Sequence, residues 1–226
     1  MVPLLLWWTT FDQRKANATS LLAITPASLI GAISFSIGGI FEWFPALFVA
    51  LGSVVGAQLG ARLLTRIPLV PLRWAFISFI VFSSIGLFLE VPNRDGSLEV
   101  TTTTALILLG LGLLMGIGAG LLGIGGGLIA TPAIMLFLGG SDLAAKSISL
   151  LAMAPGALSG SILHVRHKTA LLRDGAWVAA GAVVAAPIGA YFAFALSPRV
   201  AAILFGVLTA FVAVSLTIRA IKDGRN

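Results

Sequence analysis

Four glycines, Gly123, Gly125, Gly126 and Gly127, interrupt an apolar run that extends from near Ala105 to near Leu138. Glycine costs a helix roughly 1 kcal/mol per position relative to alanine, so this cluster predicts a break. An apolar run of that length belongs in a membrane. There, amides and carbonyls released from a helix must face protein or a polar cavity. The amides that open the half-helix after such a break favour an anion. Two hydroxyls in equivalent surroundings, Ser20 and Ser149, could ligate the same oxyanion, with Asn17, Thr19, Lys146 and Ser147 close by in sequence. Pro26 and Pro155 follow them, and Pro132 lies in the half-helix; proline frees a carbonyl that a cavity must satisfy. Gly123, Gly125, Gly126, Gly127, Pro132, Ser20, Ser149, Pro26 and Pro155 are therefore the candidate binding set, and a small anion is the expected ligand.

Plainer chemistry competes at several of these positions. Gly112, Gly116 and Gly120 have the four-residue spacing that lets transmembrane helices pack closely. The same spacing at Gly52, Gly56 and Gly60, echoed by Gly181, Ala185 and Gly189, predicts tight packing. Hydroxyls such as Ser20 and Ser149 also serve as interhelical donors, and Lys146 at a span end can snorkel. Gln58, on the packing stripe, is a candidate to face a cavity. A nucleotide loop is disfavoured: no strand precedes the glycines, and no Lys-Ser/Thr or ribose-binding acid follows. His164 and His167 fall in the basic string His164-Val-Arg-His-Lys168, which reads as a solvated loop. No HExxH spacing or Gly-x-Ser-x-Gly elbow is present, so neither an enzyme nor a bound metal or cofactor is expected. The sequon Asn17-Ala-Thr19 abuts a span on the expected cytoplasmic side and is discounted.

The elements that must position these groups follow from composition. Of 226 residues, 58% are hydrophobic and only 10% charged, where soluble domains carry roughly 25% charged residues. The expected class is all-α, a polytopic integral membrane protein. Its net charge of +6 sits in short loops, where it orients spans rather than binding nucleic acid. Cysteine is absent, which removes thiol chemistry. Nine apolar segments are expected, near 2–11, 18–41, 44–64, 70–91, 103–122, 125–139, 147–163, 174–195 and 199–219. The first and sixth are short against the ~20 residues a crossing needs.

The chain repeats itself at a constant offset, the one that carries Pro3 onto Pro132. At that offset Leu21 to Gly31 lies over Leu150 to Gly160, and Gly52, Gly60 and Ala61 lie over Gly181, Gly189 and Ala190. The organisation expected is a first repeat at 1–91, a connecting loop at 92–102, a second repeat at 103–220 and a tail at 221–226. Basic residues alternate between loops so that Arg14/Lys15, Arg62/Arg66/Arg73, Arg166/Lys168/Arg173 and Arg219/Lys222/Arg225 share one side. By the positive-inside rule that side, with the C-terminus, is cytoplasmic. The repeats are then inverted, as in secondary transporters. The first-repeat partner of Gly116–Gly127 falls before residue 1, so an N-terminally incomplete first repeat is expected.

The string Gly120-Leu-Leu-Gly-Ile-Gly-Gly-Gly-Leu-Ile-Ala-Thr-Pro132, with the stretches Ala145 to Pro155 and Gly52 to Arg73, resembles the TauE/SafE family of sulfite exporter-like permeases. The resemblance implies two related repeats in the cytoplasmic membrane and export of sulfite, a sulfonate or a related sulfur anion. With the broken-helix argument it gives the expectation of an alternating-access permease for a small oxyanion, embedded in lipid and compatible with a homo-oligomer. The competing reading is a non-transporting subunit or scaffold, or a decayed permease.

Overall fold

The computed structural model describes residues 13–63, 69–89, 94, 98–123, 125–166 and 172–223. Within them lie eight helices: α1 (Gln13–Ile37), α2 (Trp43–Leu63), α3 (Leu69–Leu89), α4 (Thr102–Leu122), α5 (Gly127–Leu138), α6 (Asp142–Arg166), α7 (Leu172–Ala195) and α8 (Pro198–Asp223). No strand occurs among the described residues. Six helices are long and apolar enough to cross a membrane, namely α1, α2, α4, α6, α7 and α8. The expected first segment, 2–11, lies outside the described residues.

The repeat is visible in the helix boundaries. The offset that places Gly31 on Gly160 also carries the first residues of α1, α2 and α3 onto those of α6, α7 and α8. Neighbour relations obey the same exchange: α1 packs on α7 as α2 packs on α6, while α1–α6 and α3–α8 each map onto themselves. The exchange holds for single side chains. A methyl group added at Gly31 would sit 3.2 Å from Leu150, and one added at Gly160 would sit 2.7 Å from Leu21. Those four residues are two repeat-related pairs.

The close α2–α4 pair is built by the two glycine stripes. Methyl groups at Gly52, Gly56 and Gly60 would strike the carbonyl oxygens of Leu109, Leu113 and Ile117. Methyl groups at Gly112, Gly116 and Gly120 would strike those of Val49, Ser53 and Ala57. Each glycine thus rests on the carbonyl one helical turn before a glycine of its partner, with both helices running in the same direction. Packing, rather than ligation, is what these six glycines do.

Helix ends differ from the expected span ends. α1 begins at Gln13 rather than 18, and α6 at Asp142 rather than 147. Hydropathy ends a span at the first charged residues, but Asp142 and Lys146 pair with each other within the first turns of α6, at 3.0 Å. His164 is 5% exposed inside α6, so it is not part of a solvated loop; His167 lies outside the described residues.

Candidate functional site

The break predicted at Gly123–Gly127 is present and its geometry is set by left-handed backbone. Gly123 (φ +63°) caps α4 and Gly126 (φ +67°) caps α5, with Gly125 at φ +83° between them. L-residues with a Cβ occupy that region only at a cost. Gly127 is helical and opens α5. α5 has 12 residues and therefore rises about 18 Å, short of the ~30 Å hydrocarbon core. At least one of its ends must lie within the apolar layer, where loose backbone groups need partners.

Those partners come from the start of α1. Asn17 Nδ2 donates to the Leu121 carbonyl at 2.9 Å, and Ser20 Oγ donates to the Gly123 carbonyl at 3.0 Å. Asn17 and Ser20 are 1% and 0% exposed, so both bonds are shielded from water. A methyl group at Gly123 would come within 2.7 Å of Asn17 Cα, which explains why this turn admits only glycine. Three of the opening amides of α5 are also occupied: Gly127 N–H donates to Gly125 O, and Ile129 and Ala130 N–H to Gly126 O.

A cavity of about 520 Å³ opens beside the break. Its walls come from α1 (Ala27, Gly31, Phe35), α5 (Gly127, Leu128, Thr131), α6 (Lys146, Ser149, Leu150, Met153), α7 (Ala186, Gly189, Ala190, Ala193) and α8 (Phe205, Leu208). The lining is apolar apart from Lys146, Ser149 and Thr131. Thr131 Oγ1 donates to Ser149 Oγ at 2.9 Å, leaving the Ser149 hydrogen with no acceptor among the described residues. Lys146 Nζ gives one of its three hydrogens to Asp142 Oδ2 at 3.0 Å.

Asp142 is not legible as a site residue in the sequence, where it reads as a loop acid. It is 1% exposed and is held from two sides, by Lys146 and by Arg94 Nε at 3.6 Å from Oδ1. Arg94, from the inter-repeat loop, also donates to the carbonyls of Ala193, Phe194 and Leu196 at 2.6–3.3 Å. A cation on the last carbonyls of a helix opposes the negative end of its dipole. Arg94 thus ties the end of α7 to the start of α6 at the rim of the cavity. A water-sized void of about 10 Å³ adjoins Thr131, Asp142 and Lys146.

Of the nine sequence candidates, the structure places Gly127 and Ser149 on the cavity wall. Gly125 stands one side chain behind it, against Met153 Sδ. Gly123 and Ser20 are buried in the junction of α1 and α4, Gly126 is buried against Met115 of α4, and Pro132 is buried within α5. Pro26 and Pro155 sit in the middle of α1 and α6, away from the cavity lining. Gln58 bonds Ser159 Oγ across α2 and α6 at 3.1 Å instead of facing the cavity. No group of three or more His, Cys, Asp or Glu that could hold a metal occurs among the described residues.

Two repeated helical halves, a short helix opened by a backbone break, and six helices long and apolar enough to cross a bilayer together describe an all-helical, multi-pass membrane protein. The family model described as Sulfite exporter TauE/SafE matches residues 1–87 and 108–226, and the chain belongs to that family. It is 28% identical over 121 residues to the "Probable membrane transporter protein YunE" of Bacillus subtilis (strain 168). That match spans 50% of this chain and 44% of the relative. No solved structure matches the chain.

Proposed function

We propose that the chain forms part of a secondary, alternating-access permease that exports a small oxyanion, sulfite or an organosulfonate, across the plasma membrane. The observation that carries this reading is Lys146. Its ammonium lies on the wall of an apolar cavity with two hydrogens uncommitted among the described residues and the Ser149 hydroxyl one turn on. Burying a cation away from water is costly unless it meets negative charge. Asp142 neutralises it at rest, and an incoming anion would share it. Arg94 is placed to take over Asp142 as that exchange occurs, because it already contacts the other carboxylate oxygen. Membership of a transporter family supports the same class of activity.

In this reading the glycine break is a hinge support. The carbonyls of Leu121 and Gly123 are held by Asn17 and Ser20 and the amides of Gly127, Ile129 and Ala130 are bonded within the turn, so the anion meets Lys146 and Ser149, with Gly127 and Thr131 shaping the wall. The cytoplasmic placement of the C-terminus follows from the loop charges. The test is uptake of labelled sulfite into proteoliposomes, with taurine and sulfate as competitors, for the natural chain and for Lys146→Gln. Saturable uptake lost in the variant is expected; equal uptake by both would remove the site.

A further inference from the structure

The cavity carries a definite charge. Lys146 is the ionisable residue of its lining among the described residues, and its Nζ lies 3.0 Å from Asp142 Oδ2. Arg94 Nε lies 3.6 Å from the other oxygen of the same carboxylate. Glu42, Glu99 and Arg199, from the loops at that end, form no ion pair with this set among the described residues. Two cations and one carboxylate leave the set with a single positive charge in excess.

Neither outer member of the set can drift away. Arg94 Nη1 and Nη2 are spent on the carbonyls of Ala193, Phe194 and Leu196, which hold the guanidinium in place without cancelling its charge. Asp142 is buried in the first turn of α6. Its Oδ1 and Arg94 Nε are both buried atoms without a hydrogen-bond partner, so this half of the carboxylate is paired by charge alone. A small approach of the two would complete the bond as Lys146 turns toward an incoming ion. Asp142 therefore stays part of the set, empty or loaded.

Excess charge away from water is costly, whichever its sign. One negative charge on the ligand cancels the excess beside Lys146. A second leaves the set net negative, with the ligand and Asp142 repelling each other across the same ammonium. We infer that Asp142 sets the charge class of the substrate, so that the cavity takes monoanions in preference to dianions. The inference rests on the anion reading of this cavity and names Asp142 as a specificity-determining residue that acts through Lys146. The apolar remainder of the cavity has room for a hydrocarbon body behind the charged head. A methyl group at Gly189, on its wall, would meet nothing within 4 Å, so this part of the α7 stripe does not pack as Gly52, Gly56 and Gly60 do. A monosulfonate on a short alkyl chain fits both the charge and the walls.

The test compares propanesulfonate with ethanedisulfonate as inhibitors of labelled sulfite uptake into proteoliposomes. Both bear sulfonates that stay ionised near neutral pH, so their charges are fixed at one and two. For the natural chain, propanesulfonate should half-inhibit at about one-tenth of the ethanedisulfonate concentration, as expected for one unit charge a few ångströms away under partial screening. Sulfate should compete as the disulfonate does, at the higher concentration. Asp142→Asn raises the excess to two positive charges and should move the ratio about tenfold toward the disulfonate, whereas Asp142→Glu should keep the natural order. The ratio is read within one preparation, so a lower yield of folded protein cancels, and its shift in the variant separates charge from the apolar tail. Equal inhibition by the two sulfonates in the natural chain would overturn the inference and leave the anion reading standing, as would the same ratio in the natural chain and in Asp142→Asn. No saturable uptake, or no inhibition by either sulfonate, would remove the anion reading and the inference with it.

Discussion

Ser20 Oγ donates to the Gly123 carbonyl at 3.0 Å across 103 residues of chain, joining the start of α1 to the turn that breaks the α4–α5 pair. Through this bond and that of Asn17, a backbone break inside an apolar layer is held in one conformation. The bond also shows what its repeat mate, Ser149, lacks. Local geometry, the repeat and the cavity meet at this pair of hydroxyls.

Removing the first tether should loosen the break. A buried hydrogen bond contributes about 0.5–1.5 kcal/mol, and leaving the carbonyl unpaired costs more. Ser20→Ala and Asn17→Ala are each expected to lower thermal stability in detergent by an amount in that range. The double variant should be less than additive, because both act on one turn. A calorimetric or fluorescence melt checks this; unchanged melts in both single variants would detach α1 from the break.

Glycine substitutions should separate packing from open surface. Gly116→Ala puts a methyl group against the Ser53 carbonyl and Gly56→Ala against that of Leu113, so each is expected to destabilise the fold by about 1–3 kcal/mol. Gly110→Ala meets nothing within 4 Å and should be neutral or slightly stabilising, as alanine is the better helix former. Protease resistance in bilayers orders the three. Equal behaviour of Gly110→Ala and Gly116→Ala would contradict the α2–α4 interface.

Gly126→Ala is expected to cost more than a surface change, because φ is +67° and the added methyl would strike Met115. A strained non-glycine residue in such a position costs on the order of 1–3 kcal/mol. Replacing Gly125 and Gly126 with leucine would therefore lose flux by misfolding, and flux loss there says nothing of ligation. A melt of Gly126→Ala matching that of the natural chain would show the turn to be adaptable.

Arg94→Ala should free the end of α7, which loses bonds to the carbonyls of Ala193, Phe194 and Leu196 at once. The same change leaves Asp142 with Lys146 alone. Faster hydrogen exchange at residues 193–196, with the α2–α4 pair unaffected, is the expected signature. Unchanged exchange there would make the clamp energetically idle.

Much of this architecture is legible in the sequence because apolar length and repeated glycines are local signals. The break at Gly123–Gly127, the offset between the halves and the packing of Gly52, Gly56 and Gly60 follow from residue type and spacing. Asp142 is misplaced by such a reading because hydropathy scores each residue alone, whereas a charge becomes buriable when a partner arrives from elsewhere in the chain. Arg94, from the loop before α4, is such a partner for Asp142. The candidate set is split for a related reason. Ser20 and Ser149 are equivalent in sequence, yet one is spent on a carbonyl and the other lines a cavity, a difference made by which helix packs beside each.

An anion path through the cavity depends most directly on Lys146. Labelled sulfite uptake should be saturable in proteoliposomes holding the natural chain and should fall when taurine or sulfate competes. Hydrogen bonds to charged groups contribute about 1.5–3 kcal/mol, so Lys146→Gln, assayed at a temperature where it remains folded, should reduce uptake about tenfold or more. Uptake undiminished in a folded Lys146→Gln variant, or none in the natural chain, would contradict an anion path through this cavity.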